Sequence, residues 1–205
     1  MKNRNLLFQN RKEFAYLEKP VEQSVQIIAE AYKNGRKLLI CGNGGSSSDS
    51  DHIVGELMKS FERLRPLEAS VQEKLRELYG ERGAILATSL QKGIPAISLS
   101  AHTSLITAIA NDIGGDFIFA QQVVGYGKPG DVLLAISTSG NSQNIMDAIF
   151  IAKAIGMTTI GLTGETGGNM KKHCDVLINV PAQNTATIQE FHLPVFHFIC
   201  RSVEN

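Results

Sequence analysis

No tryptophan occurs in this chain, and its nine phenylalanines and four tyrosines amount to only 6% of the residues. That leaves little from which to build a base-stacking surface. An excess of charge of one sign is missing as well: 20 basic and 20 acidic side chains give a formal net charge of zero. The usual electrostatic attraction to nucleic acid or to an anionic membrane is therefore absent. An anionic ligand has to be held by local groups. No apolar run approaches the length of a transmembrane helix, and the opening "MKNRNLLFQNRKEF" lacks the apolar centre of a signal peptide. Three cysteines, Cys41, Cys174 and Cys200, are few and odd in number. They suit a reducing cytoplasm better than a disulfide framework. Neither of the small-residue loops that follow the strands at Gly42 and Ser137 is a Walker A motif or G-x-G-x-x-G, which disfavours a nucleotide or dinucleotide there.

What the chain does have is five short apolar runs that end in glycine, serine or proline. They are "KLLIC" (37–41), "PAISLS" (95–100), "DVLLAIS" (131–137), "TTIGLT" (158–163) and "DVLINV" (175–180). Helical patterns separate them, and this alternation reads as a parallel sheet covered on both faces. One helix is expected from Pro20, with Val21, Val25, Ile28 and Tyr32 on one face, stopping near Gly35. Another covers 144–156, and the last runs from about Thr187 to Val203. Between Pro66 and Pro95 the rhythm breaks. Leu67, Val71, Leu75 and Leu78 recur at helical spacing, Gly80 interrupts, and a second short helix follows. This reads as a helical excursion within one domain of residues 1–205, its apolar face covered by its own or a neighbouring subunit.

Two loops after strands are rich in small polar residues. The first runs from Gly42 to Ser48, the second is "STSGNS", Ser137 to Ser142. Glycine lets a backbone approach an anion closely, and each loop precedes a helix whose first N–H groups are free. Ordinary turns with good helix caps have the same composition. Two such loops in one small domain favour an anion, and the lack of lysine or arginine in either favours a phosphate monoester, as in a sugar phosphate. The helix after the first loop carries His52 and Glu56, four apart on one face. The last helix, "IQEFHLPVFHFIC", carries Gln189, Glu190, His192 and His197. His52, Glu56, Gln189 and His197 would suit zinc or a similar divalent ion. They equally suit acid–base chemistry without metal, or no chemistry at all. Pro194 would bend the last helix unless it lies in the first turn, and the alignment of Gln189 with His197 depends on this. Cys41 reads as a small core residue, since no histidine lies nearby in sequence to activate it.

Taken together, "CGNGGSSSDSDHIVGEL", "AIANDIGGDFIF", "KPGDVLLAISTSGNSQNIMDAI" and "IQEFHLPVFHFIC" resemble a sugar-isomerase (SIS) domain, and more narrowly the phosphoheptose isomerases. The resemblance implies a three-layer, flavodoxin-like α/β fold with a five-stranded parallel sheet. It implies a cytoplasmic aldose–ketose isomerase that interconverts D-sedoheptulose 7-phosphate and D-glycero-D-manno-heptose 7-phosphate for bacterial lipopolysaccharide core or capsule. It implies a homotetramer with sites at subunit interfaces, residues 1–35 contributing to the contact. By the same resemblance Glu56 and His197 act as base and acid, and one zinc per subunit is held by His52, Glu56, Gln189 and His197. Ser137, Thr138, Ser139 and Ser142 bind the phosphate. Asn43, Gly44, Gly45 and Ser46 form the first loop, while Asp112 and Gln189 lie near the sugar. The 67–94 excursion, Ala186 and Pro194 depart from the family pattern. A non-catalytic phosphosugar-binding or replication-initiator-associating protein of the same fold is the alternative. The replication-initiator-associating proteins lack the glutamate and the histidine that this chain has at Glu56 and His197.

Overall fold

Each of the five apolar runs forms a strand, and the computed structural model, which describes residues 7, 8 and 11–205, joins them in one parallel sheet. The strands are β1 (Leu38–Gly42), β2 (Ala96–Ser98), β3 (Val132–Ser137), β4 (Thr158–Thr163) and β5 (Val176–Asn179). Their spatial order is β2-β1-β3-β4-β5. The register places Leu38 beside both Ala96 and Val132. Every residue of β1 and β3 is buried. Successive side chains go to opposite faces. Leu38, Ile40, Leu134 and Ile136 join one core, and Leu39, Cys41, Leu133 and Ala135 the other.

The first core is completed by helices α1 (Glu18–Lys33), α2 (Gly45–Leu57) and α7 (Thr185–Val203), through Val21, Val25, Ile28, Ile53, Leu57, Val195, Phe196 and Ile199. The second is completed by α5 (Ala120–Tyr126) and α6 (Gln143–Ile155), through Val123, Ile145, Ile149 and Ala152. The remaining helices are α3 (Ala69–Ser89), between β1 and β2 in sequence, and α4 (Thr103–Asp112). This is the expected three-layer fold. In this strand order the chain turns outward in opposite senses from β1 and β3. A crevice therefore opens beyond their C-terminal ends, where Gly42 and Ser137 begin the two small-residue loops.

Two local expectations shift. Pro20 is the third residue of α1, not the first; the first turn has no intrahelical use for its N–H, so the helix tolerates it. Pro194 lies in mid-helix, yet α7 runs unbroken from Thr185 to Val203. The carbonyl it leaves without an N–H donor is that of Glu190, an exposed residue that water can serve. Of the 1–35 segment expected at an oligomer contact, residues 1–6, 9 and 10 lie outside the described residues.

The excursion is helical, as its spacing predicts, and Gly80 interrupts it at φ 52°, ψ −126°. Only glycine adopts that conformation without strain. Gly83 packs its α-carbon against the Leu75 carbonyl so tightly that a β-carbon there would lie 1.7 Å from that oxygen. The arm leaves and returns at one point. Pro66 and Gln91 form an antiparallel bridge, Lys92 N–H donates to Arg65 C=O at 2.7 Å, and Lys92 pairs with Glu68 at 2.5 Å. Burial of the apolar face within its own chain is not observed. Leu67 and Leu75 are half-buried, but Val71 is 45% and Leu78 62% exposed. The arm projects from the domain instead of folding back onto it.

Candidate active site

The first loop closes because residue 42 is glycine: a β-carbon there would meet Ser46 C=O at 2.4 Å. Gly44 at φ 55° then turns the chain into α2. Asn43 C=O and Gly44 C=O accept from Ser46 and Ser47 N–H at 3.0 Å each. Ser46 is buried, whereas Asn43, Gly44 and Gly45 are exposed. In the second loop Ser137 Oγ lies 3.2 Å from Ser142 Oγ, and Ser139 Oγ accepts from Asn141 N–H at 3.2 Å. No side chain caps the first turn of α2 or of α6. The two loops are tied together by reciprocal amide bonds between Asn43 and Asn144, both 2.9 Å. Asn144 was not singled out from sequence, because its partner lies 101 residues away. A third segment supports the second loop from behind. Met170 N–H donates to Gly140 C=O at 3.1 Å, and Asn169 N–H to Asn141 Oδ1 at 2.9 Å.

Two turns into α2, the His52 and Glu56 side chains meet His197 of α7. His52 Nε2 stands 3.2 Å from Glu56 Oε1 and 3.3 Å from His197 Nε2. Lys59, three residues on, places Nζ 3.2 Å from Glu56 Oε2. The His52 side chain is 42% exposed and that of Glu56 16%, so the cluster is open to a ligand on one side. Phe196 lies edge-on to both imidazoles, 5.2 Å from His52 and 5.0 Å from His197. Burial pushes the His197 pKa below the ordinary histidine value, helped by His52 and Arg201, against the opposing pull of Glu56 and Glu62. A neutral imidazole at neutral pH is thereby favoured, the form that accepts a proton or binds a metal.

The donor set fits a divalent ion. The three ligand atoms of His52, Glu56 and His197 lie within 4.8 Å of one another. Two of the three separations, 3.2 and 3.3 Å, match the edge of a tetrahedron with ~2.0 Å metal bonds, which is roughly 3.3 Å. Gln189 sits higher on α7, packed on Gly45. A β-carbon at residue 45 would stand 2.3 Å from its Nε2. The amide therefore borders the first loop, and α2 and α7 run side by side in the same sense. Pro194 does not disturb that alignment.

Two further sequence candidates lie elsewhere. His192 is fully buried on the core side of α7, and burial lowers its pKa to about 4. Asp112 ends α4 on the surface, where it accepts from Asn111 Nδ2 at 2.8 Å. It shares no hydrogen bond with the loops or the histidine cluster among the described residues. Cys41 is a buried core residue whose thiol pKa burial raises strongly, as expected of a packing role.

Comparison with known proteins identifies the family. The SIS domain family pattern matches residues 9–88 and 74–164, two segments that overlap in the projecting arm. A phosphoheptose isomerase of Clostridium acetobutylicum is 41% identical over 94% of this chain and 85% of its own length. One of Helicobacter pylori is 40% identical over 95% and 88%. The solved phosphoheptose isomerase of Neisseria gonorrhoeae superposes with a TM-score of 0.77 at 33% identity, covering 95% of this chain and 90% of that one. Among the described residues no helix is long and apolar enough to cross a membrane.

Proposed function

The chain belongs to the SIS domain family and, within it, to the phosphoheptose isomerases, and from that premise we infer that it interconverts D-sedoheptulose 7-phosphate and D-glycero-D-manno-heptose 7-phosphate. The product class serves bacterial heptose biosynthesis, and the reaction runs in the cytoplasm. The observation that carries the reading is the shared helix α2. Its first residues form a phosphate-type loop, and seven residues on it presents His52 toward His197. That separation is ~10 Å of helix rise, the scale of a seven-carbon chain with its phosphate.

The phosphate lies against Ser137, Thr138, Ser139, Ser142 and the Asn43–Ser46 turn, with no cation needed from the loops. The other end of the sugar reaches Glu56. A ketose becomes an aldose when a proton moves between C1 and C2 through an enediolate. Glu56 takes the carbon-bound proton and returns it to the neighbouring carbon. His197, kept neutral, moves a proton between the two oxygens. A zinc ion would be held by His52, Glu56 and His197, with Gln189 reaching it only by swinging its amide away from Gly45, and would polarise the carbonyl and stabilise the negative charge of the enediolate. Glu56 has an oxygen for each role, since Oε1 faces His52 and Oε2 faces Lys59. Asp112 completes the sugar site in the assembled oligomer. The presence of both Glu56 and His197 in one cluster favours catalysis over a binding module.

The deciding assay is turnover of sedoheptulose 7-phosphate by purified protein, read by phosphorus NMR after chelation and again with added zinc. An aldoheptose 7-phosphate signal is expected, stronger with zinc. No conversion in either condition would assign the fold to a binding role.

The protein acts as a homotetramer, and the arm's open apolar face is covered by a second copy. The arm from Glu68 to Lys92 carries four acidic and four basic residues, so its surface has no net charge to repel its own image. Because Pro66 and Gln91 are already bridged, the arm can be excised and the ends joined through glycine. Light scattering should then report a smaller assembly than the wild type. An unchanged number of subunits per assembly would place the arm outside the interface.

A further inference from the structure

His197 and Arg201 of α7 and Glu204, the residue that caps its C-terminus, recur at i, i+4 and i+7, and all three face the segment that follows α2. Glu204 Oε1 accepts from Phe61 N–H at 2.7 Å, and Oε2 accepts from Glu62 and Arg63 N–H at 2.9 and 3.2 Å. Three successive main-chain donors converging on one carboxylate make an anion-binding nest, here filled from within the chain. The Glu204 side chain is 1% exposed, and Arg65 Nε stands 3.2 Å from its Oε1. Arg65 also donates to the carbonyls of Leu57 and Lys59, at the end of α2. Burial opposes ionisation of Glu204, but the three N–H groups and Arg65 outweigh it and hold its pKa below the ordinary glutamate value. The carboxylate is therefore charged at neutral pH.

This device holds one aromatic ring. Phe61 lies 5.4 Å from the His197 imidazole, inclined at 45°. The Arg201 guanidinium lies 5.7 Å from the same ring, while Arg201 Nε pairs with Glu62 at 2.6 Å. Glu62 and Arg63 are exposed, so the segment buries little besides Phe61. A fully paired buried carboxylate adds little stability over an apolar anchor; what it fixes here is orientation. We propose that Glu204 is a positioning residue for the isomerisation: by gripping the backbone of residues 61–63 it keeps Phe61 against His197 and so fixes that imidazole relative to Glu56. The role in turnover rests on the isomerase reading; the grip itself does not.

Three variants test it: Glu204→Gln, Phe61→Ala and the double variant, assayed below their melting temperatures. Small misplacement of a reacting group lowers kcat, so about a 10-fold loss is expected in Glu204→Gln. KM should stay within about twofold, because the phosphate loops lie on other segments. The double variant should be no slower than the slower single one, since both remove one contact. A wild-type kcat in Glu204→Gln, or losses that multiply in the double variant, would overturn the proposal. The ring protons of His197, shifted by the Phe61 ring current, give a readout without turnover. In Glu204→Gln they should move toward their Phe61→Ala positions, and unmoved resonances would overturn the proposal even in an inactive protein. Moved resonances in Glu204→Gln, together with a wild type that turns nothing over, would instead sink the isomerase reading and leave the grip standing. Should Glu204→Gln fail to fold, Phe61→Ala alone decides: wild-type kcat there ends the proposal.

Discussion

Glu56→Gln should abolish turnover while leaving phosphosugar binding nearly intact. The substitution keeps the shape of a side chain that is 16% exposed and removes only its capacity to accept a proton. Loss of a positioned general base costs on the order of 10²–10⁴ in rate. In this protein the upper end is expected, because His197 is committed to the oxygens and no second carboxylate stands in the cluster among the described residues. Calorimetric titration with sedoheptulose 7-phosphate should give a dissociation constant within a few-fold of the wild type. Exchange of the substrate's carbon-bound proton with deuterium oxide separates chemistry from release: it should stop in the variant. Continued exchange at the wild-type rate would remove Glu56 from the role of base and leave it as a ligand alone.

Gly168→Ala should damage phosphate binding from outside the phosphate loops. Gly168 has φ +49°, and a β-carbon there would lie 2.4 Å from Ser139 C=O. Gly140 meets Gly167 just as closely from the other side, with 2.3 Å left for a β-carbon. Two backbones thus touch where the second loop turns, and neither can yield without moving Ser139. The left-handed conformation alone costs an alanine about 1–2 kcal/mol, which for a chain of this size is about 5 °C in melting temperature. The larger effect is expected in KM for the sugar phosphate, a rise of about 10-fold or more, with kcat less affected. Gly125→Ala, in α5 with open space around it, is the control: it should leave both constants unchanged. A Gly168→Ala protein with a normal KM would show that the second loop keeps its shape unaided.

Much of this was legible in the sequence. Strands buried on both faces need uninterrupted apolar runs, and those runs located all five strands to within one or two residues. Glycine after a strand and before a helix marked both loops, because only a residue without a β-carbon closes a turn like that of Gly42 onto Ser46. The four-residue spacing of His52 and Glu56 fixed their common face, since helix geometry is local. What the sequence left open was whether those residues form a site. Spacing could not distinguish an ordinary helix pair from a proton or metal centre, because the deciding partner, His197, is 145 residues away.

Tertiary structure alone settled the long-range pairings: His197 against His52, Asn43 against Asn144, the Gly167–Gly168 turn behind Gly140, and Glu204 beneath Phe61. Each depends on how the crossover helices pack on the sheet, and a local pattern does not encode that. It also decided two points against expectation or beyond it. Pro194 leaves α7 continuous, because the carbonyl it deprives belongs to an exposed residue. The arm's periodicity correctly announced a helix, but periodicity reports only that one face is apolar. Whether that face meets its own core or stands open is decided by where the chain carries it, and here the bridge between Pro66 and Gln91 holds the arm at its root alone.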